Sequence, residues 1–186
     1  MTPHVIVISG PGGVGKNTVA RGLIETSRRE FVAITKLTTR LIRPGETDGD
    51  EFHFISAEDF ERRIATHQLL ESNLFNGYYY GVPKSPVDLA LAQGQNPILV
   101  IDVNGARATR AHYGNQAFLI FLTAPPNELR RRYIARGQSQ AEAEKRLQIG
   151  EREELPEQHW YDFVIENGDG QLEAVITAIA NKIHSL

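Results

Sequence analysis

The 186-residue chain contains no cysteine, which excludes disulfides, thiolate-held zinc, iron–sulfur clusters and a cysteine nucleophile in one step. It has no long apolar run: the longest, residues 117–122, falls far short of the roughly 20 residues that cross a bilayer. No membrane partner is therefore expected. The N-terminal Met1-Thr2-Pro3-His4 and the short apolar stretch 5–8 lack the basic region and the longer apolar region of an export signal. Together with the missing cysteines, this predicts a cytoplasmic protein. Neither charge is in excess, since 20 Lys plus Arg against 23 Asp plus Glu give a net charge of −3. Such a balance attracts neither duplex nucleic acid nor an acidic membrane surface, so any anion must be met locally. Lysine is scarce, 5 residues against 15 arginines, and guanidinium is the better planar fork for carboxylate and phosphate.

What is present is ordinary for a single compact domain: 41% hydrophobic and 23% charged residues, enough chain to bury a core. Short apolar runs bounded by turn residues recur at 5–8, 31–34, 98–101, 118–122 and 163–165, and read as buried strands. Helical spacing separates most of them, at Val19, Leu23 and Ile24, over 106–113 and over 172–183. Alternating strands and helices predict an α/β fold with a parallel sheet covered on both faces. Two segments break the alternation. Residues 36–88 hold a turn-rich charged stretch, a β-like 51–55, Ser56 with Asp59 as a capping box, and the aromatic Tyr78-Tyr79-Tyr80. Residues 126–155 are polar and Arg-rich, with Gly137 suited to a helix end and Ser139/Glu142 to the next start. A charged helical hairpin over a ligand site is expected there.

Gly10-Pro11-Gly12-Gly13-Val14-Gly15-Lys16 follows the first strand and precedes a helical pattern, the setting a phosphate-binding loop requires. The glycines let successive backbone N–H groups turn inward around phosphate oxygens. The helix N-terminus adds positive charge, and Lys16 reaches the transferred phosphate. After the lysine, where a magnesium-binding Ser or Thr is usual, stands Asn17, with Thr18 next. An amide oxygen can bind magnesium directly or hold a metal-bound water. Asp102 ends the apolar run 97–101, either as an acid at a strand's C-terminal end that serves the metal or as a cap of the following helix.

These residues resemble the guanylate kinases over nearly the whole chain. The resemblance is carried by the phosphate loop from Ser9 to Lys16 and by Thr38-Thr39-Arg40-Leu41-Ile42-Arg43-Pro44-Gly45-Glu46-Thr47-Asp48-Gly49. Leu70-Glu71, Tyr79-Tyr80-Gly81, Ile101-Asp102-Val103-Asn104-Gly105, Pro125-Pro126, Arg136-Gly137 and Lys145-Arg146-Leu147 follow in the family's order. It implies a P-loop NTPase-type parallel sheet flanked by helices, with core segments 1–35, 89–125 and 156–186. A nucleotide-monophosphate-binding insertion at 36–88 and a helical lid at 126–155 complete the expected organisation. The implied activity is phosphoryl transfer from ATP, with Mg2+, to GMP, so the partners are small nucleotides. Gly10, Gly12, Gly13, Val14, Gly15, Lys16, Asn17 and Thr18 then hold ATP. Arg40, Arg43 and Tyr80 grip the acceptor's phosphate, Glu71 reads guanine, and Asp102 serves the acceptor and the metal. Arg132, Arg136 and Arg146 face the transferring phosphoryl group or the adenine, and Asn167 contacts the base of ATP.

The acceptor pocket departs from the family pattern at Lys36, Phe52, Val82 and Val100. A hydroxyl, a tyrosine, a hydroxyl and an aspartate are usual there, and each lost hydrogen-bonding group weakens selection of a polar base. Lys36 could donate to guanine O6 or meet an additional phosphate, and Phe52 could stack beneath the substrate. Two alternatives stay open: a kinase of this fold with another phosphorylated acceptor such as ribose 1,5-bisphosphate, and a non-catalytic binding module. The sequence carries no sign of oligomeric state.

Overall fold

The structure, a computed structural model, describes residues 2–186. Its centre is a five-stranded parallel sheet built from β1 (Val5–Ser9), β2 (Phe31–Ala33), β7 (Asn96–Val100), β8 (Ala117–Thr123) and β9 (Phe163–Glu166), in the order β2-β7-β1-β8-β9. The apolar runs predicted as strands all form strands of this sheet. They are continuous rather than alternating because β1 is buried on both faces, as are the first six residues of β8.

Residue parity then sorts the two cores. Ile6, Ile8, Phe118, Ile120 and Leu122 point to one face, with Val19 and Leu23 of α1 (Lys16–Thr26) and Val175 and Ile179 of α7 (Leu172–His184). Val5, Val7, Leu119 and Phe121 point to the other. There they meet Val87 and Ala90 of α3 (Lys84–Ala92), Ala106 of α4 (Val103–Tyr113) and Tyr161. Among the described residues no helix is long and apolar enough to cross a membrane.

The first irregular segment folds as a second, four-stranded sheet. It comprises β3 (Lys36–Thr38), β4 (Phe52–Phe54), β5 (Leu69–Phe75) and β6 (Tyr78–Pro83) in the order β4-β3-β6-β5. β3 runs parallel to β4 and antiparallel to β6, and β5 and β6 form a hairpin. This sheet has its own small anchor. Phe60 of α2 (Ala57–Ala65) is fully buried and stacks on Tyr79 with ring centroids 5.1 Å apart. Ser56 caps α2 by accepting the Asp59 N–H (3.1 Å), but Asp59 makes no reciprocal bond, because its carboxylate pairs with Arg62 (2.7 Å). The cap is half of the expected box.

The second segment is the predicted helical hairpin, α5 (Pro126–Ala135) and α6 (Gln140–Ile149). Gly137 sits at φ +85° in the turn, and Ser139 with Glu142 forms a complete capping box. The hairpin is docked rather than free, since Leu129, Tyr133 and Ala143 are buried in the main core. A π-helical turn (Gly150–Glu154) and a 3-10 turn (Leu155–Trp160) lead from it back to β9.

Truncating the anchor of the second sheet should cost about 3–5 kcal/mol, the usual range for a buried phenylalanine. Phe60→Ala is therefore expected to lower the thermal midpoint clearly. Hydrogen exchange should show the loss of protection concentrated in β3, β5 and β6, with the parallel sheet still protected. An unchanged midpoint would contradict this account.

Candidate active site

The phosphate loop is aimed by the strand before it. Ser9 at the end of β1 donates its hydroxyl to the Ile101 carbonyl (2.9 Å), tying β1 to the end of β7. The chain then turns at Gly10, where φ is +132° and a Cβ would lie 2.2 Å from the Leu122 carbonyl oxygen. Only glycine fits there. The half-buried Lys16 opens α1 and folds its ammonium onto the carbonyls of Gly10 (2.6 Å) and Pro11 (3.0 Å). Burial lowers its pKa; Glu154 and Asp102 oppose that effect, while Lys36 and Arg136 add to it. Asn17 and Thr18 are exposed on the first turn of α1, and Asn17 donates to Glu51 (3.4 Å).

Asn167, expected at the base of ATP, is buried after β9, and its amide donates to the Val14 carbonyl (2.8 Å). It grips the loop from outside. Asp102 takes the helix-capping role foreseen for it. One carboxylate oxygen caps α4 by accepting the Gly105 N–H (2.9 Å), and the other faces a cavity and accepts from the Asn73 amide (3.4 Å).

That cavity, about 250 Å³, lies between the two sheets and is lined by Lys36, Phe52, Glu71, Asn73, Tyr80 and Asp102, among others. The structure thus brings together most of the predicted acceptor residues. Burial pushes the Glu71 carboxyl up to about 7; Asp102 raises it further and Lys36 opposes. Tyr80 meets the edge of Phe52 at 5.9 Å between centroids. Val100 lines the cavity, but Val82 does not: it is fully buried, in one cluster with Leu70 and Val87, and cannot touch a solute. Lys36 pairs with Glu51 (3.2 Å), lies 3.5 Å from the Val100 carbonyl oxygen and sits 4.6 Å above the centre of the Phe52 ring. A larger open cavity of about 550 Å³ continues past Lys36 and Val100 toward Asn17, Arg21 and Asp50.

The arginines are disposed differently from expectation. Arg40 and Arg43 were to fork together onto one phosphate. Instead Arg40 is only 7% exposed and makes a bidentate pair with Glu46 (2.6 and 2.7 Å). Glu46 also accepts the Arg43 backbone N–H (2.9 Å), and these bonds pull its carboxyl down to about 2. Arg40 therefore shapes the loop, and Arg43 leaves its side chain exposed. Arg132, expected at the transferring phosphoryl group, is held by Asp169 (2.8 Å), Glu128 (3.2 Å) and the Asn167 carbonyl (3.0 Å). It braces the turn after β9. Arg146 lines a crevice beside Pro11 and Tyr133, and Arg136 is near enough to Lys16 to lower its pKa.

Three further residues belong to this site. Asn73 lies two residues after Glu71 on β5, so strand alternation could have placed it on the same face. Tyr133 lies four after Leu129 and reads from sequence as plain core, yet its hydroxyl reaches the Gly12 carbonyl (2.6 Å). Glu154 had no signal, because it ends a π-helical turn that helix spacing does not anticipate. Burial raises its pKa and Lys16 lowers it.

A family model described as guanylate kinase matches residues 2–186. The guanylate kinase of Symbiobacterium thermophilum is 44% identical over 181 residues, spanning 94% of this chain and 84% of that protein. That of Thermobifida fusca is 44% identical over 166 residues, spanning 88% of this chain and 83% of its own. Among solved structures, the crystal structure of guanylate kinase from Anaplasma phagocytophilum superposes with a TM-score of 0.77 at 28% identity, covering 99% of this chain and 86% of that one.

The raised pKa of Glu71 carries a cost. A carboxyl near 7 when folded and about 4.3 when unfolded contributes stability that is fully present below the lower value and lost as pH rises through the higher one. Glu71→Gln should therefore raise the thermal midpoint at pH 8 and bring little gain at pH 4. A gain of equal size at both pH values would show that Glu71 ionises normally.

Proposed function

The chain belongs to the guanylate kinase family, and from that premise we propose that it moves the γ-phosphoryl group of ATP to GMP, giving ADP and GDP. It is an ATP-dependent nucleoside monophosphate kinase. The observation that carries the acceptor is Glu71, a half-buried carboxyl lining the cavity between the two sheets. Guanine presents N1–H and N2–H side by side, and one ionised carboxylate accepts both. Adenine presents an acceptor at N1 and is rejected. The second reading, a bisphosphate acceptor, needs a free cation at Lys36. That ammonium is already balanced by Glu51 and lies over the Phe52 ring, which favours the nucleotide.

The chemistry asks for no general base. A phosphate monoester with a second pKa near 6 is largely dianionic at pH 7 and attacks as it stands. The six histidines need no catalytic role. Two mutually repelling anions must be held in line and their charge neutralised. On the ATP side the loop's inward N–H groups and Lys16 do this, joined by Arg136 and Arg146 of the hairpin. On the acceptor side Arg43 and Tyr80 meet the phosphate, and Arg40, locked to Glu46, holds their loop in shape. Asn17 and Asp102 would supply oxygens to a magnesium ion, which keeps several waters and needs few protein ligands. When bound with ATP, that ion supplies positive charge to the phosphates.

Lys16→Met should lower kcat at least about 10²-fold, as loss of one group aimed at developing charge does, while the thermal midpoint stays near wild type. In an ADP-release assay over GMP, dGMP, AMP, UMP, CMP and ribose 1,5-bisphosphate, the guanine nucleotides should dominate, and turnover confined to the bisphosphate would overturn the proposal. Because Glu71 must be charged to accept two N–H groups, the KM for GMP should fall as pH rises through about 7. Glu71→Gln should raise that KM about tenfold or more and flatten its pH dependence. A GMP KM that Glu71→Gln leaves unchanged would mean that this carboxyl does not read the base.

A further inference from the structure

A phosphate loop binds through backbone N–H groups, so its affinity depends on how each peptide plane is turned. A trans peptide points its C=O and its N–H in opposite directions. Holding a carbonyl on the outside of the loop therefore aims the next residue's N–H toward the inside.

Side chains hold the loop's carbonyls, Lys16 from the loop's own end and two others from distant segments outside it. Lys16 takes Gly10 and Pro11, Asn167 takes Val14, and Tyr133, from the last turn of α5, takes Gly12 at 2.6 Å. Tyr133 is 3% exposed, and its ring lies flush against the loop. A Cβ on Gly12 would meet the Tyr133 hydroxyl at 2.9 Å, and one on Gly13 would meet the ring at 3.2 Å. Burial raises the phenol's pKa, which keeps it a donor. A buried tyrosine needs only some acceptor for its hydroxyl. This one takes the single carbonyl whose peptide partner is the N–H of Gly13, at the turn of the loop.

We propose that Tyr133 is a positioning residue for ATP: by tying down the Gly12 carbonyl it presets the Gly13 N–H toward the phosphates and joins the helical hairpin to the loop it serves. It touches no reacting atom. The proposal rests on the reading of this loop as the ATP site.

The test compares wild type with Tyr133→Phe, which removes one oxygen and keeps the ring. The KM for ATP should rise about three- to tenfold, the range that one neutral hydrogen bond commands, while the KM for GMP stays within about twofold. Inorganic tripolyphosphate, used as a competitive inhibitor, should weaken by the same factor as ATP, because the defect lies in the phosphate cradle and not at the adenine. An unchanged ATP KM in the active variant would overturn the proposal. So would ATP and GMP constants rising together with a fall in the thermal midpoint, the signature of a merely structural role. Should Tyr133→Phe not fold, Tyr133→Met fills the same space without a donor and carries the same expectation. No ATP turnover in the wild-type protein would overturn the kinase reading itself, and is distinct from either of those results.

Discussion

The close passage of Gly10 beneath the Leu122 carbonyl sets the position of everything in the site. With no Cβ and a left-handed φ, the chain leaves the buried central strand and turns at once across the end of β8. β8 leads through Pro125 into α5, and β9 beside it leads to Asn167. The same sheet edge therefore delivers the loop and both side chains that grip it from outside. Any side chain at Gly10 would lift the loop off this edge and separate Gly12 from Tyr133 and Val14 from Asn167.

Charges of alternating sign run through the cleft that this edge borders. Glu154 and Asp102 raise the pKa of Lys16, Lys36 lowers it, and Lys36 and Asp102 act in opposite senses on Glu71. Lys16, Glu71 and Glu154 are partly withdrawn from water, which disfavours their charged forms. The arrangement is electrostatically unsettled by design of the reaction, since both substrates are anions and must find cations and N–H groups already turned toward them. The docked hairpin contributes by placing Tyr133 and Arg146 beside the loop.

How much of this was legible follows from where the information lies. The parallel sheet was readable because its central strands are buried on both faces and so appear as unbroken apolar runs. The phosphate loop and the Ser139/Glu142 cap were readable because their chemistry is confined to a few consecutive residues. The pairing of Arg40 was not legible: its partner Glu46 is only six residues away, but whether a guanidinium turns to a neighbouring carboxylate depends on the loop's shape. Val82 was misjudged because an expected pocket position on β6 can be given up to the core when its residue becomes apolar. Tyr133 was invisible for the opposite reason, since an aromatic residue in a helix's apolar stripe shows nothing of where its hydroxyl goes.

Of the acceptor-pocket departures, Lys36, Phe52 and Val100 looked like separate losses, yet they are in contact with one another and, through Glu51, with Asn17, the departure in the phosphate loop. The Lys36 ammonium sits over the Phe52 ring, beside the Val100 carbonyl and against Glu51, and Glu51 accepts from Asn17. An ammonium brought this far from water needs a counter-charge and acceptors, and an aromatic face supplies further attraction. A phenylalanine offers that face without a hydroxyl to compete for the carboxylate. With an aspartate at position 100, the lysine would face a second carboxylate in addition to Glu51 and would be held more tightly, away from the substrate. The four changes therefore make one connected solution, in which a fixed ammonium stands near the end of the acceptor cavity that opens toward α1. Glu71 and Asn73 line that cavity from β5. The ammonium reaches Glu71 through its charge, which opposes the burial that raises the Glu71 pKa, so a pocket altered at one end keeps the carboxyl proposed to read the base.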